Sequence, residues 1–466
     1  MGVKLAGIGR RLLSLALLAA FAAAEDDMVE APPPPAAEEA LQWEVEGYLK
    51  SEFVYRSVGS EDDLDFYQDF HVDVSREGAR PVSARASGRL FWDLAGNQQP
   101  NDLLRSYWDG FGTDAQVRMY EAWAQVDRLM DEALSVRAGR MFLDEGTWFH
   151  IDGVRLDLDR KEDIDYTTVF GVPVRFGEPS RSGNWMAGLV MRHRLDPKTR
   201  YRVEYYHVSE SFEGINDPVI DPVQQPVSLS AERLEDDYLG FTVWHDPDRA
   251  WHLFGRFSLL EWDANELQLR VRWRTEDGRV LVIGEWYQLF SRLNNVTNDL
   301  SPFVPMLGSY FPFYRASLRA TYRHGEDWVF QSGISHRELE EEADEGTFNH
   351  EYNHYYVSAT RVDLQDGRMD LTITANGYES TGNDVWAVTS NLDYRLDPEW
   401  TLSGGVDYSF FKYDWFQNTE REDVWTWFLR ARWKAKKDVR ADFEAMLEDD
   451  RFDVYWSFVA SVVVRF

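Results

Sequence analysis

The sequence predicts an all-β fold, a transmembrane antiparallel up-and-down β-barrel whose strands enclose a polar lumen. Three observations predict it: a secretion signal at the N-terminus, apolar and polar residues alternating in runs between turns, and a last strand that ends on Phe466. One lipid-facing and one wet face per strand produce this alternation. The best count is 22 strands, with an accepted range of about 18–22.

The N-terminus has the features of a cleaved leader. Three basic residues, Lys4, Arg10 and Arg11, precede the short apolar segment Leu12 to Ala20, and an alanine run follows. The segment is well short of the ~20 residues that a spanning helix needs. We therefore expect residues 1–24 to be a signal peptide.

Residues 25–40 are acidic and rich in proline. Such a composition favours an extended, flexible segment over a packed core, so we expect a periplasmic leader here. Alternating strands fill the rest of the chain, and the predicted barrel covers residues 41–466.

Composition excludes several function classes. The 466 residues contain no Cys, so disulfides, thiolate metal sites and Cys nucleophiles are excluded. A net charge of −32 argues against nucleic acid as a partner, because phosphate contacts need clustered Lys and Arg. The 19 Trp and an aromatic content of 15% suit the aromatic belts of a membrane-spanning barrel.

The last strand is the clearest one. Phe466, Val464 and Val462 continue an apolar face that begins at Phe452, with aromatic or aliphatic residues at every second position. This ending resembles the C-terminal signal that bacterial barrel-assembly machinery reads. It predicts insertion into the lipid of a bacterial outer membrane.

Other segments repeat the pattern, and their connections alternate in length. Leu267–Trp273, Tyr314–Tyr322 and Trp425–Trp433 each place apolar residues at alternate positions. Tight polar turns alternate with longer stretches such as residues 95–114, which predicts short periplasmic turns and long outer loops. The strands are least distinct over residues 152–175.

No catalytic site is apparent. The patterns GxSxG, HExxH, GxxxxGK[ST] and GxGxxG are all missing. The closest histidine grouping is His350 and His354. We favour the interpretation that these residues lie at a solvent-exposed end of a strand over a metal site. We expect no enzyme activity, no metal and no cofactor.

Charged residues recur on the face opposite the apolar one. The lumen acids predicted from the alternation are Glu204, Glu285 and Asp370, with Asp407, Asp442 and Glu444 on the same side. The arginines predicted from the alternation are Arg202, Arg270, Arg272, Arg315, Arg319, Arg323, Arg430 and Arg432. They form either a lattice of cross-strand salt bridges or a positive stripe that attracts anions.

The region from Arg118 to about Phe176 carries a family resemblance. It reads VRMYEAWAQVDRL, then LSVRAGRMFLDEGTWFHIDGVRLDLD, then YTTVFGVPVRF. These segments resemble the alginate export family of outer-membrane porins, in which a polyanionic polysaccharide leaves through an arginine-lined barrel. The resemblance implies that Glu121, Arg137, Arg140 and Arg155 lie in the lumen or at its mouth.

The leading functional hypothesis is a porin that conducts an anionic or polar solute, an exopolysaccharide of the alginate type, with a periplasmic partner as a possible addition. Two alternatives remain: a barrel sleeve around a periplasmic multihaem cytochrome, and a barrel that displays loops as a receptor or adhesin. Neighbouring genes for polysaccharide synthesis, for cytochromes, or for neither would separate the three.

Overall fold

The computed structural model describes most of the predicted barrel. It covers residues 43–78, 80–95, 115–130, 133–143, 149–161, 163–174, 183–211, 233–290, 312–340, 351–380, 383–414, 419–450 and 453–466. The predicted signal peptide (1–24) and leader (25–40) lie outside the described residues.

Long strands make up almost all of the described chain. The first half contains β1 (Trp43–Val58), β2 (Glu61–Arg76), β3 (Val82–Ala95), β4 (Ala115–Leu129), β5 (Leu134–Leu143), β6 (Phe149–Lys161), β7 (Ile164–Pro173), β8 (Trp185–Asp196), β9 (Thr199–Ser211), β10 (Arg233–His245) and β11 (Trp251–Leu260). The second half contains β12 (Asp263–Arg274), β13 (Val280–Leu289), β14 (Phe313–His324), β15 (Trp328–Leu339), β16 (Tyr352–Asp363), β17 (Met369–Ser380), β18 (Asn383–Arg395), β19 (Trp400–Asp414), β20 (Thr419–Lys436), β21 (Val439–Asp449) and β22 (Val454–Arg465). A four-residue turn, α1 (Leu364–Gly367), joins β16 to β17, and its Gln365 and Asp366 have left-handed backbone angles.

The strands form one closed antiparallel sheet of 22 members. Each strand pairs with its neighbours in sequence, and β22 pairs with β1 to close the barrel. Closure is reinforced at the last residue, because Phe466 and Gly47 exchange two backbone hydrogen bonds of 2.9 and 3.1 Å. A side chain at Gly47 would collide with the His71 carbonyl oxygen and the Phe466 ring, so only glycine fits there.

The two ends of the barrel differ in their connections. Even-numbered strands are followed by short turns, such as residues 197–198 and 437–438, and we call this the short-turn end. The longest connections, such as 212–232 and 290–312, follow odd-numbered strands, and we call this the long-connection end; β1, β11 and β17 are followed there by two-residue connections. In the turn after β12, the Thr275 hydroxyl and the Arg279 amide donate to Asp277, and these hydrogen bonds lower the pKa of its carboxyl group.

The outward face is apolar, with tryptophans near both ends. Leu269, Leu318 and Leu429 lie outward in the middle of their strands and are 45%, 51% and 60% exposed. In β20, Trp425 and Trp433 face outward near opposite ends. Their eight-residue separation is roughly 26 Å along the strand, which at the usual strand tilt is roughly 18–21 Å of height and fits within the ~25 Å apolar band of a membrane barrel.

Part of the inward face is also apolar. Side chains from β5 to β10 form a buried cluster that includes Met141, Ile151, Met186 and Tyr206. A side chain at Gly188 would overlap the Tyr206 ring, so this glycine lets the ring lie flat against the wall. Apolar residues on both faces weaken the alternation, which explains why residues 152–175 are the least distinct part of the sequence.

The structure confirms the predicted fold class and the count of 22 strands. Both uncertain segments are strands, β6 and β7, joined in register from Ile151–Pro173 to Lys161–Ile164. Within the described residues, no helix is long and apolar enough to cross a membrane.

Candidate functional site: the inward face of the barrel

The inward faces of β11 to β15 are dominated by arginine, and we call this surface the arginine wall. Strand register places Arg272 of β12 and Arg319 of β14 on either side of Ile283, so all three side chains lie on one face. The arginines of this wall are Arg256, Arg270, Arg272, Arg274, Arg315, Arg319, Arg323 and Arg337. The predicted lumen arginines of β12 and β14 are therefore brought together.

Glu285 is the central acid of the arginine wall, and two arginines share it. Arg270 lies opposite Glu285 in the register, and its Nε is 2.6 Å from Glu285 Oε1. Arg319 of the next strand places Nη2 3.3 Å from Glu285 Oε2. One carboxylate thus partly neutralises two guanidinium groups.

Other arginines of the wall have no acid beside them. Among the residues that the structure describes, Arg272, Arg274 and Arg323 make no ion pair, and Arg315 contacts the Tyr287 ring at 6.0 Å from its centroid. A guanidinium over an aromatic face is only weakly stabilised and keeps its full charge. The wall therefore retains positive charge that faces the lumen.

Next to this wall lies a buried ionic cluster centred on Glu204. The Glu204 side chain is fully buried, with Arg202 Nε at 3.3 Å from Oε2 and Arg256 Nη2 at 3.2 Å from Oε1. Arg256 also reaches Glu266 at 3.1 Å. Charges this deeply buried serve the wall's structure, because each would be costly without its partners.

The predicted arginines of β20 are paired. Arg430 contacts Glu444 at 2.8 Å, and Arg432 contacts Asp442 at 2.6 Å. Arg440 of β21 also contacts Asp442, at 2.7 Å. This region fits the salt-bridge lattice and not the positive stripe.

In the region of the family resemblance, Arg137 and Arg155 are register partners on the inward face. The Arg137 guanidinium lies 4.1 Å from the centre of the Trp123 ring and donates to Gln125 at 2.7 Å. Arg155 contacts Asp157 at 2.8 Å. The predicted lumen acid Glu121 accepts a hydrogen bond of 3.2 Å from Trp123 Nε1.

Arg140 lies on the outward face, whereas the resemblance implied a place in the lumen or at its mouth. It pairs with Asp152 through contacts of 2.8 and 2.7 Å, and Asp152 shares its face with the outward Val154. Arg137 and Arg140 are three positions apart in β5, and an odd spacing puts two strand residues on opposite faces. Arg140 is therefore left out of the proposals below.

The remaining predicted residues lie near the barrel ends. Asp370 accepts a hydrogen bond from the Asp363 amide and lies 4.0 Å from Arg395 at the short-turn end. His354 lies beside the rings of Tyr356 and Tyr378, while His350 falls outside the described residues. Val462, Val464 and Phe466 continue the outward face of β22, and the assembly role expected for them stays a prediction.

The sequence analysis missed a set of uncharged polar side chains on the inward face of β16 to β18, beside the arginine wall, which we call the neutral wall. Its residues are Tyr352, Tyr356, Ser358, Thr360, Thr372, Thr374, Asn376, Tyr378, Thr389 and Asn391, with Asp370 and Asp393 as acids on the same face at the short-turn end. The Tyr352 and Tyr378 rings pack 4.8 Å apart, and Thr374 donates to Ser358 at 2.9 Å. The signal was present in the sequence as a run of uncharged polar residues at alternate positions.

No family model and no curated protein matches the chain. Among solved structures, it is similar to the translocation pore of the P pilus usher PapC, with a TM-score of 0.50 and 8% identity over 90% of this chain and 99% of that one. It is also similar to OccK11 (OpdR) of Pseudomonas aeruginosa (TM-score 0.42, 13% identity, 91% and 96% covered). A BenF-like porin of Pseudomonas fluorescens Pf-5 gives a TM-score of 0.44 at 9% identity, with 91% and 99% covered. At 8% identity the likeness to the usher pore concerns the fold alone, which is a closed β-barrel.

Proposed function

We propose that the protein is an outer-membrane channel that passes an anionic polar solute, of the acidic-saccharide class, through its lumen. The observation that carries the proposal is the arginine wall, where Arg272 and Arg323 have no acidic partner among the described residues and Arg270 shares Glu285 with Arg319. Rings and rows of arginine favour anions in pores.

The overall charge of −32 does not oppose an anionic solute. Acids in turns and connections face bulk salt, which screens them beyond about 8–10 Å. Charges on a lumen wall with low-dielectric surroundings act on a permeating ion at short range. The local excess of arginine therefore outweighs the distant acids.

The neutral wall supports a saccharide as the solute. Hydroxyl and amide groups such as those of Thr374 and Asn376 donate to and accept hydrogen bonds from sugar hydroxyls. The Tyr352 and Tyr378 rings offer apolar faces beside them. A uronate polymer, which carries both carboxylates and hydroxyls, would contact the arginine wall through its carboxylates and the adjacent neutral wall through its hydroxyls. An alginate-type polysaccharide, as the sequence resemblance suggests, belongs to this class.

Conduction also requires release. Several moderate sites along a wall let a polyanion advance, whereas a single tight site would hold it. The arginine wall fits this requirement, since Arg270, Arg319 and Arg323 lie on two strands at different heights. The planar guanidinium fork can bind a carboxylate at each place and stays charged at any physiological pH.

Planar-bilayer recordings test the proposal. In a salt gradient the unmodified channel should show a reversal potential of the sign for anion preference. Substitution of Arg315, Arg319 and Arg323 by Glu should abolish or invert that sign, because three lumen cations become anions. Cation preference in the unmodified channel would refute the proposal.

A further inference from the structure

A recess opens at the short-turn end of the arginine wall. It has a volume of about 540 Å³ and lies between the turn after β8, the turn after β10 and the last residues of β12. Lys198, Arg249, Arg272 and Arg274 contribute cationic groups, while Asp246 and Asp248 contribute the acids. The recess is therefore cationic on balance.

Both acids of the recess are already engaged. The Asp246 carboxylate contacts His252 Nδ1. The Asp248 carboxylate accepts hydrogen bonds of 2.7 and 3.1 Å from the amides of Ala250 and Trp251. These contacts stabilise the turn after β10. Both carboxylates therefore bind groups other than Arg272 and Arg274.

The two strand arginines of the recess are not neutralised. Within the described part of the chain, neither Arg272 nor Arg274 makes an ion pair. They lie two residues apart on one face of β12, about 6.6–7 Å along the strand. Lys198 donates to the Pro247 carbonyl, a neutral group, and so keeps its charge available.

The recess is held in shape by backbone hydrogen bonds. The Asp246 amide donates to the Lys198 carbonyl at 2.8 Å, which ties the turns after β8 and β10 together. The Arg274 amide donates to the Ala250 carbonyl at 2.9 Å, which fixes the end of β12 against the second turn. A site that is ordered before the ligand arrives loses less entropy on binding.

We propose that this recess is a loading site that binds a carboxylate of an acidic oligosaccharide at the short-turn end. This inference rests on the proposed channel function and adds the point at which the solute first binds. Arg272 belongs both to the recess and to the arginine wall, with Arg319 two strands away, about 10 Å across the sheet. A carboxylate released from the recess therefore finds its next cation within one or two sugar lengths.

Titration calorimetry of the full chain in detergent micelles, with a hexauronate as the probe, tests the loading site. The double substitution Arg272→Gln and Arg274→Gln should weaken binding at least about tenfold, because two charge-assisted hydrogen-bonding groups are lost. Arg440→Gln is the matched control, since Arg440 faces inward at the same end but is paired with Asp442. The Arg440→Gln variant should bind the hexauronate with the same affinity as the unmodified protein.

A variant in a turn serves as a control for misfolding of the variants that carry substitutions within a strand. Arg249→Glu changes an exposed turn residue outside any strand and should still weaken hexauronate binding by about threefold, through the lost attraction alone. Unchanged affinity in both the double variant and Arg249→Glu would overturn the loading site. Displacement of the hexauronate by an equal concentration of inorganic phosphate would overturn the saccharide assignment.

The two proposals fail in different ways. Anion preference in bilayers, together with unchanged hexauronate binding in the double variant, would remove the loading site and leave the channel proposal intact. Cation preference in the unmodified channel would remove the channel proposal. If both hold, hexauronate added at the short-turn side should block current at a lower concentration than from the other side, and the double variant should lose that difference.

Discussion

The arginine wall and the inward face of β1 to β3, the paired wall, use the same cation in opposite ways. In the paired wall, Arg56 lies between Asp63 and Asp65, with a contact of 2.7 Å to Asp63, and Arg85 contacts Asp73 at 2.7 Å. In the arginine wall, Arg272 and Arg323 have no such partner among the described residues. The role of an inward arginine is therefore decided by the acids that the register places beside it.

The difference originates in two short sequences. Strand β2 reads EDDLDFYQDFHVDVSR and puts four aspartates on the inward face. Asp63 and Asp65 both contact Arg56, Asp69 contacts Arg89, and Asp73 contacts Arg85. Strand β12 ends LQLRVRWR, with no acid among its alternate inward positions after Glu266. Cross-strand pairing holds the first wall together, whereas the second leaves charge for a solute.

The largest expected effect is on stability, in the paired wall. Arg56→Gln removes the cation that lies between the buried carboxylates of Asp63 and Asp65, and should lower the free energy of unfolding by about 3–5 kcal/mol. Arg272→Gln removes an arginine without an acid partner and should change it by less than about 0.5 kcal/mol. Denaturant titration of both variants in lipid vesicles gives the comparison, and equal losses would show that the two walls do not differ.

The next largest effect is on membrane insertion, and it differs between the two faces of β12. Leu269 faces outward in the middle of β12, so Leu269→Arg should cost about 2–4 kcal/mol on insertion. Gln268 faces inward beside it, and Gln268→Arg should be tolerated because the side chain meets the lumen. Folding yield into vesicles measures both variants. The opposite ranking would reverse the assigned faces.

Much of this arrangement was predictable from period-two alternation. The faces of β12, β14, β20 and β22 follow directly from it, because one residue of offset moves a side chain to the other face. The ion pairs were not predictable, since Glu285 meets both Arg270 and Arg319 only through the register of three strands. Arg140 shows the remaining limit: a family motif supplied its role, but strand geometry sets its face.

A smaller effect is expected from the shared acid of the arginine wall. Glu285→Gln frees Arg270 and Arg319 together and should raise anion preference, because one lumen anion is removed without loss of a cation. The permeability ratio of chloride to potassium in bilayers should increase by a factor of about two, a modest change expected for one charge in a wide lumen. A fall in that ratio would mean that Glu285 acts by positioning the two arginines.

The central claim, that unpaired arginines set the selectivity, is tested most directly by two matched double variants in a bilayer under a salt gradient. One combines Arg272→Gln with Arg323→Gln, which removes two unpaired cations. The other combines Arg89→Gln with Asp69→Asn, which removes one ion pair of the paired wall. We expect the first variant to lose most of the anion preference and the second to keep the reversal potential of the unmodified channel. Equal reversal potentials for both variants would contradict the account.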